Sequence, residues 1–160
     1  MLRIYGRRHL TRLEAALYGG IAAILIAVVA ERLLDYMELA ERTSVEATVN
    51  QVMSAANTRL AYATIRGEAL NLEAWNRRNP FELAGMSPVN FVGEIDLAQA
   101  SNLARGSWAF DRERAELVYQ PRLGLGLHTT DPHGALRFRG GLVPGALGYR
   151  LVPASPYRWD

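Results

Sequence analysis

Residues 15–30 read AALYGGIAAILIAVVA, a run without a single charge. At ~1.5 Å per residue the run makes about 24 Å of helix, and Leu10, Leu13, Leu33 and Leu34 extend it toward the ~30 Å of a hydrocarbon core. Three readings compete for it: a membrane-spanning helix, a cleaved secretory signal and a buried soluble helix. Val28-Val29-Ala30 offers the small residues a signal peptidase accepts, but Glu14 puts an acid where a signal needs a basic region. Residues 31–65 contain neither Pro nor Gly, so helix is expected to continue where a signal is usually followed by a breaker. The spacing therefore predicts a transmembrane helix over residues 13–34, preceded by a basic segment over residues 1–12. Helix continues over residues 35–66, from about Leu13 to about Ile65 in all.

Charge orients the span. Residues 1–14 carry four Arg against one Glu, whereas Glu31, Arg32, Asp35, Glu38 and Glu41 follow the apolar run. The positive-inside rule then places the N-terminus in the cytoplasm and the remainder across the membrane, which in a bacterium is the periplasm. The whole chain of 160 residues is long enough for one domain of ordinary size; 49% hydrophobic and 21% charged residues argue against wholesale disorder and against a polytopic membrane protein. All 18 basic residues are Arg, the mark of a GC-rich genome rather than of a nucleic-acid binder. Beyond residue 30, 14 Arg face 15 acids, and a near-neutral body without a basic stripe excludes nucleic acid as the expected partner. With no Cys, disulfides, thiol catalysis and cysteine zinc sites are excluded.

Past the membrane, Val45, Val49, Val52, Ala56, Leu60 and Ala63 recur at spacings of three and four, one apolar stripe of a helix laid on a small domain. Gly67 breaks the helix. Residues 67–160 read as a small α+β region. Glu68–Asn76 has the pattern of a short second helix ended by Arg77-Arg78-Asn79-Pro80, and Phe81–Asn102 reads as loop. The period then changes to two. Ser107–Phe110 and Glu116–Gln120 flank a charged connection and read as a hairpin, with Trp108, Phe110 and Tyr119 as structural core. Ala135–Arg139 alternates, Leu136 and Phe138 on one face and Arg137 and Arg139 on the other. Tyr149–Val152 reads as the last strand, since Pro153 and Pro156 stop pairing. Leu123–Leu127 is at best a weak strand because of its glycines. The fold expected is a long membrane-spanning helix continuing into a stalk and packed on a small antiparallel β-sheet.

This arrangement resembles type IV pilin-like proteins, including the pseudopilins of type II secretion. Leu10-Thr11-Arg12-Leu13-Glu14 follows a short basic leader and is similar to the family's Phe-Thr-Leu-Ile-Glu start. Asp35-Tyr36 falls where the family often has Asp-Tyr, and GSWAFDRERAELVYQPR resembles its Trp-containing hairpin. The chain departs from the pattern at His9, where the family has the Gly of its cleavage site, and at Glu31, where the family has a helix-kinking Pro. The resemblance implies a non-enzymatic subunit of a bacterial secretion system or pilus, held in the inner membrane. It implies other pilin-like subunits, inner-membrane assembly proteins and membrane lipid as partners. It also implies that Glu14 pairs with a neighbouring subunit. The small residues Gly19 and Gly20 would admit close approach of another helix. The alternative is a single-pass anchored periplasmic binding module unrelated to filaments.

Catalytic signals are thin. His128, Asp131 and His133 lie in a Gly/Pro loop with the spacing of a weak metal site and lack a fourth ligand. Asp111, Glu113 and Glu116 crowd the hairpin connection and read as a solvated tip. Ser44, Ser54 and Ser101 have no nucleophile context, and GLGLH lacks the Lys of a phosphate loop. No catalytic residue, cofactor, metal or small-molecule substrate is expected.

Overall fold

Helix α1 runs from Arg12 to Ile65 in the computed structural model, which describes residues 11–69, 71–96, 102–143 and 148–160. Its first turn is closed by Thr11 and Glu14. Glu14 N donates to Thr11 Oγ1 at 3.3 Å, while the Glu14 carboxylate accepts from Thr11 N at 2.8 Å. This reciprocal pair is a capping box, two orphan donors satisfied at once. At the far end the Glu68 N–H reaches back to the Ala63 carbonyl at 3.0 Å over Gly67, which takes φ 68°, the closure by which many helices stop.

The chain divides into two compact units, Met1–Met37 and Glu38–Asp160. In the first, every described residue is exposed, and α1 is long and apolar enough to cross a membrane. The second holds the remainder of α1, α2 (Leu72–Arg77), α3 (Pro80–Ala84) and seven strands among the described residues: β1 (Phe91–Ile95), β2 (Ser107–Asp111), β3 (Glu116–Gln120), β4 (Leu127–Thr129), β5 (Leu136–Leu142), β6 (Tyr149–Pro153) and β7 (Tyr157–Trp159). Five strands form one sheet in the order β1-β2-β3-β5-β6, and β4 pairs with β7 separately. All pairings are antiparallel except β1 with β2, where a register shift falls between Phe91 and Glu94.

The α+β architecture matches the expected one: a long N-terminal helix packed on a small, mostly antiparallel sheet. The apolar stripe is its spine. Val45, Val52, Ala56, Leu60 and Ala63 are buried, and Val45, Val52 and Ala56 join Phe81, Trp108, Phe110, Leu117, Tyr119, Leu136 and Phe138 in one core. The small side chains at 52 and 56 let the helix backbone lie close to the sheet.

Four local readings are corrected. The second helix starts later than Glu68, because the Asn71 side chain accepts from Ala74 N at 3.1 Å and caps it there. It ends at Arg77, within the Arg77–Pro80 stretch as expected, and Pro80 then opens α3: Asn79 caps the turn, and the fixed φ of Pro suits a first helical position. The Phe81–Asn102 stretch thus contains α3 and β1 rather than loop alone; the part at residues 97–101 lies outside the described residues. Strand β4 begins at Leu127 rather than running over Leu123–Leu127, and it finds a partner in β7. Pro156 does not stop that pairing, since it sits one residue before the strand.

Strand alternation sorts the side chains as expected: Leu136 and Phe138 toward α1, Arg137 and Arg139 on the reverse face. The reverse face is not solvated throughout. Asp111, Glu116 and Arg137 are buried there, which corrects the reading of Asp111 and Glu116 as a solvated tip; Glu113 alone of the three acids is exposed.

Candidate functional site

Glu14, Gly19 and Gly20 lie on the exposed span. Glu14 has a local role in the capping box, and the Thr11 hydroxyl also donates to its carboxylate at 3.0 Å. The sequence carried this signal as Thr-x-x-Glu before an apolar run. A Cβ built on Gly19 or Gly20 meets nothing within 4 Å, so both positions offer open backbone surface. Along the apolar run Leu17, Ile21, Ile24, Leu25, Val28 and Val29 stand exposed.

Trp108, Phe110 and Tyr119 are buried in one hydrophobic cluster. The Trp108 ring meets Tyr119 at 4.8 Å, Phe81 edge-on at 5.7 Å and Phe138 at 6.0 Å between centroids. Such pairs add to area burial. Tyr119 also carries a polar contact: its hydroxyl donates to Glu41 Oε1 at 2.7 Å. Burial, and then the Glu41 carboxylate, push the Tyr119 ionisation well above its ordinary range.

Glu38 and Glu41 were legible only as charges flanking the span. One helical turn apart, they share a face of α1 and bind the segment between β3 and β4. Glu41 accepts from the backbone N–H groups of Arg122 and Leu123. Glu38 accepts from Gly126 N and, at 3.0 Å, from Trp159 Nε1. Arg42 completes the clasp by donating to the Trp159 carbonyl at 2.7 Å. A loop without a ladder of its own thus has its donors satisfied by carboxylates. Gly126 is needed for this approach: a Cβ there would lie 2.8 Å from the Asp160 carbonyl oxygen and 3.3 Å from Glu38 Oε1.

The reverse face of the sheet holds an ion cluster. Arg137 Nε donates to Asp131 Oδ2 at 2.7 Å, and its Nη1 lies 3.2 Å from Asp111 Oδ2 and 3.5 Å from Glu116 Oε2. Arg139, largely exposed, reaches Glu116 from outside. Burial raises the Asp131 carboxyl, but the Arg137 hydrogen bond and the N–H groups of Ala135 and His133 together outweigh it and hold the group below the usual carboxylate range. Desolvation likewise opposes the charge on Arg137, and the surrounding carboxylates more than restore it. The cluster ties β2, β3 and β5 to the turn at Asp131.

Asp131 is occupied by Arg137, and His128 faces Asp160 at 3.6 Å. Among the described residues no group of three or more His, Asp or Glu is placed to hold a metal ion. A shallow groove of about 180 Å³ runs between Val45, Glu46, Val49 and Asn50 on α1 and Phe138 and Tyr157. Comparison of the chain with family models, with curated proteins and with solved structures returns no match.

Proposed function

We propose that the chain is a non-enzymatic, membrane-anchored, pilin-like subunit of a bacterial secretion system or pilus. The observation that supports this most is the double use of α1. Its N-terminal part is an uncharged, exposed apolar run, and its C-terminal part is the buried spine of a small sheet. In this reading the basic segment lies in the cytoplasm, the helix crosses the inner membrane, and the β-unit projects into the periplasm. The partners are other pilin-like subunits and inner-membrane assembly proteins, met through the helix surface at Gly19 and Gly20. Packing is the mechanism, and no bond is made or broken.

The capping box sharpens the test. Gly20→Leu keeps the segment apolar but blocks close backbone approach. Glu14→Ala removes both the cap and the charge, whereas Glu14→Gln keeps the cap geometry and removes the charge. Co-purification of partner membrane proteins from detergent extracts should be lost with Gly20→Leu and with both Glu14 variants, while membrane fractionation stays normal. Loss with Glu14→Ala and rescue by Glu14→Gln would reduce Glu14 to a cap. Full retention of partners in every variant would favour an anchored binding module whose recognition lies in the β-unit. A periplasm-active reporter fused after Asp160 should be active, and one fused near Arg3 inactive.

A further inference from the structure

Asn57 shows how a flank of α1 holds a strand. Among the described residues β6 is the last strand of its sheet, so its outer edge has no neighbouring strand. There Asn57 Nδ2 donates to the Tyr149 carbonyl at 3.0 Å, and Asn57 Oδ1 accepts from Tyr149 N at 2.8 Å. One side-chain amide thus supplies the pair of hydrogen bonds that a strand would give. Asn50 stands seven residues earlier, two helical turns and about 10 Å away on the same flank. Its side chain is exposed and has no hydrogen-bond partner among the described residues. An exposed Asn is ordinary on a helix; this one borders a groove.

Val45, Val49 and Phe138 give that groove its apolar lining, and Glu46 and Tyr157 complete it. Phe138 is the cross-strand neighbour of Pro153, the last residue of β6, so the groove opens where that strand gives out. Its volume of about 180 Å³ lies below the roughly 300 Å³ at which small-molecule sites begin, and suits a single side chain. The rim also leaves an anionic acceptor open. Arg42 directs Nε to Glu46 Oε1 at 3.0 Å and Nη1 to the Trp159 carbonyl at 2.7 Å, while Glu46 Oε2 has no partner among the described residues. We propose that the groove binds an extended segment of a partner polypeptide. Asn50 takes the N–H and C=O of one residue of that segment, as Asn57 does for Tyr149. An apolar side chain of the segment fills the groove, and a basic side chain beside it meets Glu46 Oε2. Main-chain hydrogen bonds combined with a side-chain pocket are the means by which extended peptides are read at sheet edges. Every residue involved belongs to the Glu38–Asp160 unit.

The probe is the peptide GYRLV, blocked at both ends. It copies residues 148–152, the segment whose backbone Asn57 already holds, and it carries both apolar and basic side chains. Its control is the same peptide methylated on the tyrosine backbone nitrogen, which keeps the side chains and removes the N–H. Each is titrated to millimolar concentration into the full chain in mild detergent, followed by nuclear magnetic resonance of the Asn50 side-chain amide and the Tyr157 ring. Both signals should shift saturably with the parent peptide, and the methylated one should bind about tenfold more weakly for want of a main-chain hydrogen bond. Asn50→Ala, followed at Tyr157, should also weaken binding about tenfold, and Glu46→Gln about threefold, as loss of an exposed charge contact predicts. Asn50 and Glu46 are exposed, so neither substitution opens the core, and unchanged thermal midpoints verify folding. Equal binding of the two peptides would overturn backbone recognition and make the groove a merely apolar surface. Unchanged affinity in Asn50→Ala, or no saturable shift in the parent chain, would overturn the site itself.

Discussion

Arg137 Nε sits 2.7 Å from Asp131 Oδ2, and the same guanidinium lies within 3.5 Å of Asp111 and Glu116, all four side chains at most 4% exposed. One buried cation thus faces three buried anions, and Arg139 reaches Glu116 from outside. Removing one partner from such a set leaves uncompensated charge. Arg137→Met should cost about 3–5 kcal/mol. Thermal unfolding of the full chain in mild detergent, followed by near-ultraviolet circular dichroism, measures the loss. An unchanged midpoint would mean that the carboxylates reach water.

The same cluster sets a pH dependence. The Asp131 carboxyl is held below its ordinary value in the folded state. Its contribution is therefore complete above the unfolded value near 3.9 and disappears as pH falls through the folded one. Melting midpoints taken from neutrality down to about pH 3 should fall at the acid end, and Asp131→Asn should flatten that fall. Parallel curves for the two proteins would assign the acid sensitivity to other groups.

Tyr149 and Gly140 form a second sensitive pair. The Tyr149 hydroxyl is buried without a hydrogen-bond partner among the described residues, and burial pushes its ionisation upward. It occupies the space that Gly140 leaves open, since a Cβ on Gly140 would meet the hydroxyl and lie 2.7 Å from Tyr149 Cζ. Tyr149→Phe removes an unpaired polar atom and should stabilise by about 1–2 kcal/mol. Gly140→Ala should destabilise by about 1–3 kcal/mol through overpacking. Paired urea titrations decide both signs, and a destabilised Tyr149→Phe would reveal a bound water or partner on the hydroxyl.

Trp108 fills the middle of the aromatic core, 2% exposed and in contact with three rings. Trp108→Ala should cost roughly 3–5 kcal/mol, read as a lower thermal midpoint. A midpoint within error of the parent would place Trp108 outside the cooperative core.

Periodicity and the absence of breakers determined much of this protein in advance. The uncharged run at 15–30 and the lack of Pro or Gly from 31 to 65 require a long helix, since nothing local interrupts its backbone hydrogen bonds. The Val45–Ala63 stripe and the two-residue alternation around Trp108, Tyr119 and Phe138 named the faces that pack. These signals are local and repeat along the chain. Glu38, Glu41, Asp111, Glu116 and Arg137 carried no such signal. A charged side chain reads as solvated unless its partners are known, and these partners lie far away in sequence: Tyr119 and Arg122 for Glu41, Gly126 and Trp159 for Glu38, Arg137 for the hairpin acids. Strands β1 and β7 were hidden for the same reason, because each is short and owes its pairing to a strand that only the tertiary fold brings beside it. The tertiary structure alone decided which charges were buried, because desolvation is tolerated only where compensating groups converge, and convergence is a property of three dimensions.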